Sequence, residues 1–158
     1  MNTLDEPSLA QLAISALERT AFLIADAADV KLDAIDFEPT YFSIITYKGA
    51  SAGSIYLEAD EGFMRECIAS LLGIEEDKVN CSSMGADALD ELANIIAGMV
   101  VIELGGDDHR FELGIPTHCS QETATHLAED RTCLCLLMSE NGRLRIRWTT
   151  GTVGAIAA

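Results

Sequence analysis

The dipeptide Asn141-Gly142 lies between two runs rich in apolar, aromatic and β-branched residues, 132–138 and 143–149, and constrains the fold more than any other feature of this chain. Asn-Gly in that setting is a strong hairpin signal. A hairpin commits both strands to antiparallel pairing and needs no crossover helix. Two further strands follow from residues 41–47, β-branched and aromatic, and 54–57, with Gly49 and Gly53 marking the turn between them. A short strand is expected over 110–115, closed by Pro116.

Three segments carry helical spacing instead. After Pro7 and Ser8, the residues Leu9, Leu12, Ala13, Ala16, Leu17, Ala21, Leu23 and Ile24 recur at threes and fours, which predicts an amphipathic helix ending near Asp29. Asp60 or Glu61 opens a second helix, with Phe63, Ile68, Leu71 and Leu72 inward and Gly73 as its C-terminal cap. Residues 75–83 read as a polar connector. The third helix, 85–104, is the most regular and is stopped by Gly105 and Gly106. At 158 residues the chain is expected to form one domain, 1–158. The predicted fold class is an α+β sandwich, a mostly antiparallel sheet with two long helices on one side.

Charge and cysteine content narrow the function classes. Ten basic against 26 acidic residues give a net charge of −16, the wrong sign for neutralising phosphates, so nucleic acid and anionic lipid are poor partners. No apolar stretch approaches the roughly 20 residues that cross a bilayer. The start of the chain lacks the basic and then apolar plan of a signal peptide, and the five cysteines contain no CxxC pair. A cytoplasmic location with free thiols is expected.

On the third helix, Leu89, Leu92, Ala93, Ile96, Met99 and Val100 cover one side, as a core-facing helix requires. Asp87, Glu91, Asn94 and Gly98 fall together on the other. An exposed face is ordinarily polar, but Asn is a poor helix former and Gly costs about 1 kcal/mol in a helix interior. Such local rule-breaking marks a functional face. The Asn94 amide both donates and accepts hydrogen bonds, so it can orient a water without ionising. Glu91 can dock onto a cation, and Gly98 admits close approach. The set positions something; it contains no nucleophile.

These residues spell D-x-x-x-E-x-x-N over Asp87, Glu91 and Asn94, followed by Gly98 and later by Gly114-Ile115-Pro116. The pattern resembles the CheC/CheX/FliY family of chemotaxis phosphatases, and CheX most. Here 21 residues separate Asn94 from Pro116, one fewer than the family spacing, a difference that the loop at 105–108 absorbs. The resemblance implies a CheC-like fold and hydrolysis of the aspartyl phosphate of a CheY-type response-regulator receiver domain. Asn94 would hold the attacking water and Glu91 would dock to the receiver's lysine, with Asp87, Gly98 and Pro116 in support. It implies no cofactor in this chain, Mg2+ being supplied by the receiver, and it implies a homodimer. The first helix offers Glu18 but Ala21 where a second site would need Asn, so one site per chain is expected. Two other functions stay open: a non-catalytic adaptor that binds a receiver or signalling partner without turnover, and a plain dimerisation domain.

Other chemistry is weaker. His118, Cys119, His126, Cys133 and Cys135 lack a zinc knuckle spacing, so no metal site is expected. Cys133 and Cys135 alternate on a predicted strand and read as small apolar residues. The acidic runs at 75–77 and 107–108 lack calcium-loop spacing and read as solvated loop and helix-end residues.

Overall fold

A computed structural model describes residues 3–105, 110–118 and 132–151. The expected helix stop at Gly106, the acids at 107–108, and Cys119 and His126 lie outside the described residues, as does the chain after Gly151. The elements run α1 (Glu6–Ala16), β1 (Asp26–Ala28), β2 (Tyr41–Gly49), β3 (Gly53–Ala59), α2 (Glu61–Leu72) and α3 (Cys81–Gly105). After them come β4 (Phe111–Leu113), β5 (Thr117–His118), β6 (Thr132–Met138) and β7 (Arg143–Thr150). All strand pairs are antiparallel, in the order β1-β6-β7-β3-β2-β4, with β5 also on β2. This is the expected α+β class: a seven-stranded antiparallel sheet with three helices, of which only α3 is long.

The 132–138 and 143–150 strands pair from Thr132↔Thr149 to Met138↔Arg143. Their turn is held by α2: Glu66 accepts hydrogen bonds from the Ser139 hydroxyl and from the Glu140 and Asn141 N–H groups. Asp60 caps the helix by accepting from Phe63 N–H and also accepts from Arg143 N–H. Gly142 has no left-handed backbone. It is needed for close approach, because a Cβ there would stand 2.0 Å from the Phe63 nitrogen.

One face of the sheet carries Ile45, Tyr47, Ile55, Leu57, Ile146 and Trp148 into the helical layer, where α1, α2 and α3 bury their apolar sides. Trp148 Nε1 donates to the Tyr47 hydroxyl at 2.8 Å, tying β7 to β2 across β3. On the opposite face the buried Glu58 carboxylate is paired with Arg145 and Arg147, and the Arg145 guanidinium lies 4.9 Å from the centre of the Phe37 ring. Two opposed charges and an aromatic face thus satisfy a carboxylate that would otherwise be costly to bury.

Several expected boundaries move. The first helix does not reach Asp29: it loosens into a wider turn over Leu17–Ala21 and ends at Phe22, whose φ of 53° is left-handed. Beyond it Leu23 and Ala25 are buried while Phe22 and Ile24 are exposed, so Ile24 points outward and the alternation leads into β1. Leu71 and Leu72, expected inward, are exposed at the end of α2, where Gly73 provides the left-handed cap. The connector is shorter than expected, because α3 starts at Cys81 and not at Gly85. Asn80 caps it by accepting from the Ser83 N–H, and residues 76–78 form a single tight turn. The strand expected over 110–115 is shorter, β4 at Phe111–Leu113, and past Gly114, Ile115 and Pro116 a second short strand, β5, was not expected.

Candidate active site: a groove between the long helix and a sheet edge

α3 crosses β2 with its apolar side down: Leu89, Leu92, Ala93, Ile96 and Val100 are buried. Its seating is close. A Cβ at Gly85 would lie 2.4 Å from the Tyr41 ring, so the missing side chain lets helix and strand meet. With that side fixed, the 3.6-residue period turns Asp87, Glu91 and Asn94 to solvent. Gly98 lies one turn further on the same face, partly exposed, and a Cβ built there meets nothing within 4 Å. The chain's own packing therefore does not require glycine at 98.

Asp87, Glu91 and Asn94 form one wall of a groove of ≈ 380 Å³, together with Asp90. The other wall is the Gly114-Ile115-Pro116 link between β4 and β5. Gly114 N–H donates to the Thr46 carbonyl at 2.8 Å, which keeps the link against β2. The fold thus brings Pro116 across from Asn94 despite the sequence separation, and Ile115 projects from the rim, 85% exposed. Gly98 is outside the groove proper, along the same helix face.

Three residues not singled out for this site join it. Asp90 Oδ1 accepts from the Ser43 hydroxyl on β2 at 2.5 Å, and its Oδ2 lies 3.2 Å from His118 Nδ1 on β5. The signal for Asp90 was its place at the border of the polar face, beside Glu91. For His118 it was the two-residue step from Pro116. Ser43 left no signal, because an isolated Ser in a strand is common.

Asp87, Asp90 and Glu91 give the groove a negative lining, suited to a basic group on whatever docks there. Three cysteines outside the groove are kept protonated by burial: the Cys67 thiol is pushed up to about 12 and Cys133 to about 11, and Cys135 is raised as well. Cys133 and Cys135 lie on β6, Cys135 facing the helical layer. Among the described residues no group of three His, Cys, Asp or Glu side chains is arranged to hold a metal ion. No described helix is long and apolar enough to cross a membrane. A larger cleft, ≈ 980 Å³, lies toward the opposite sheet edge between α2, β1 and the β6–β7 turn. No carboxamide lines it, and its Glu66 is committed to the turn.

The fold, an antiparallel sheet backed by helices, is shared with chemotaxis proteins of the CheX and CheC type. Chemotaxis protein CheX from Vibrio vulnificus superposes with a TM-score of 0.66 at 20% identity, over 90% of this chain and 96% of that one. A CheC-like superfamily protein from Shewanella gives 0.67 at 15% identity, over 96% and 100%. The CheX–CheY–BeF3–Mg2+ complex from Borrelia burgdorferi gives 0.63 at 16%, over 95% and 100%. No curated protein matches the chain. Residues 41–139 match the family model described as chemotaxis phosphatase CheX, and the chain belongs to that family. The matched segment contains Asp87, Glu91, Asn94, Gly98 and Pro116; α1 and β1 precede it.

Proposed function

We propose that this chain hydrolyses the aspartyl phosphate of a CheY-type receiver domain, with α3 docking at the receiver's active site. The observation that carries the reading is the exposed Glu91–Asn94 pair on a rigidly seated helix, facing Pro116 across an acidic groove. In the reaction a water attacks phosphorus, the bond from phosphorus to the aspartyl oxygen breaks, and inorganic phosphate and a free carboxylate leave. The Asn94 amide accepts from that water and donates toward the phosphoryl oxygens, so its contribution is alignment. Glu91 pairs with the receiver's lysine, and Asp87 adds negative potential beside it. Gly98 leaves room for the receiver, and Pro116 forms the opposite wall. Mg2+ comes with the receiver, where it neutralises developing phosphoryl charge.

Family membership supports this reading, as does the CheX relative from Borrelia that forms a complex with CheY, BeF3 and Mg2+. The single site per chain is supported by the wider turn after α1, where Glu18 is exposed but Ala21 is buried, with its carbonyl accepting from the Ser70 hydroxyl. A cytoplasmic homodimer completes the proposal. The test is phosphate release from a phosphorylated receiver with the native chain and Asn94→Ala side by side. Loss of about 10²-fold or more in turnover is expected for Asn94→Ala, with receiver binding retained. Equal rates for the two proteins would overturn the mechanism. Binding without acceleration by the native chain would make it an adaptor.

A further inference from the structure

We infer that Asp90 is a positioning residue which, through His118, holds the Pro116 wall at a fixed distance from Asn94. The inference rests on the phosphatase reading above and deepens it.

Three elements converge on one carboxylate. Asp90 stands one turn before Asn94 on α3 and is 21% exposed. Ser43 on β2 and His118 on β5 are directly opposite each other in the ladder, so their side chains share one face of the sheet. Each takes a different oxygen of Asp90, Ser43 at 2.5 Å and His118 at 3.2 Å. Ser43 is fully buried, where an unpaired hydroxyl would be costly, so the strand specifically recognises the carboxylate. With a contact on each oxygen, Asp90 is held in place within the fold, whereas no such contact holds Asp87 or Glu91 among the described residues.

The wall needs such a tie. Among the described residues β5 has two and pairs with β2 through Ser43↔His118 and Ile44↔Thr117. Between it and β4, Gly114, Ile115 and Pro116 lie outside both strands, with the Gly114 N–H bonded to Thr46. His118 follows Pro116 by two residues, so fixing its ring to α3 fixes the near end of the wall. A half-exposed contact of this kind adds little stability. The value of this one lies in what it aligns. A displacement of about 1 Å at a reacting centre can cost about 10²-fold in rate, and the clip spans the groove within one helical turn of Asn94.

Kinetics of phosphate release from a phosphorylated receiver test the inference, using the native chain, Asn94→Ala, Asp90→Ala, His118→Ala and His118→Asn. Asp90→Ala and His118→Ala should lower kcat about tenfold and leave KM within about twofold, because docking through Glu91 is untouched. His118→Asn places an amide N–H near the former Nδ1 and should recover at least half of native kcat. A merely structural role would not give that rescue at unchanged KM. Should Asp90→Ala unfold, the His118 pair carries the test, since that side chain is 52% exposed. Native kcat in His118→Ala alongside an inactive Asn94→Ala overturns the inference and leaves the phosphatase reading standing. Raised KM with unchanged kcat makes Asp90 a docking residue and also overturns it. Equal rates for the native chain and Asn94→Ala overturn both.

Discussion

Gly98 is the residue whose cost and use separate most cleanly. It sits in the interior of a 25-residue helix, where glycine is less favourable than alanine by about 1 kcal/mol. Outside its chain neighbours and its own helix backbone, no described atom lies within 4 Å of the Cβ it lacks. Gly98→Ala is therefore expected to raise the thermal midpoint by about 2 to 4 °C. Gly98→Phe should leave the fold intact and weaken receiver binding, measured by titration of a phosphorylated or BeF3-loaded receiver. Unchanged affinity in Gly98→Phe would remove the steric role. Asn94 poses the converse case: as an exposed side chain its removal should shift stability by less than about 0.5 kcal/mol, so any loss of turnover belongs to chemistry and not to folding.

At the scale of elements, two glycines join layers. Gly85→Ala drives a methyl to 2.4 Å from the Tyr41 ring, and Gly142→Ala drives one to 2.0 Å from the Phe63 nitrogen. Overpacking of this kind costs about 1 to 3 kcal/mol. The backbone clash should place Gly142→Ala at the upper end in a urea titration, since Tyr41 can turn and a helix backbone cannot. These contacts also show what was legible in the sequence. The β6–β7 hairpin, the β2–β3 pair, the caps of α2 and the polar face of α3 each have a local cause, a turn dipeptide, a capping side chain or a period, so they could be read directly. The end of α1 could not, because Ala21 to Ala25 is continuously apolar and satisfies a helical and a strand period alike. The start of α3 was hidden by Ser82 and Ser83, poor helix formers that follow the Asn80 cap. A two-residue strand such as β5 has no period to detect. For that reason Asp87, Glu91 and Asn94 were visible as one face, whereas the Ser43–Asp90–His118 convergence depends on strand register and was not.

For the whole molecule, pH dependence follows from its buried thiols. Cys67 and Cys133 titrate near 12 and 11 in the folded chain against an ordinary 9.0, because burial disfavours the thiolate. The folded state therefore holds these protons more tightly than the unfolded state. Their contribution to stability is complete below pH 9 and is lost as pH rises from there toward 11 and 12. The urea midpoint should fall between pH 8.5 and 10.5 by more in the native chain than in Cys67→Ala, each compared with itself, and an equal fall would contradict the burial argument. The edge of the sheet beside the groove has a consequence of another kind. Among the described residues β4 and β5 offer three and two residues, and Pro116 between them has no N–H, so the row of main-chain donors and acceptors is broken where it passes the site. A further strand finds no continuous template there. What this border presents to an approaching surface is the side chains of the groove and not a run of free main chain.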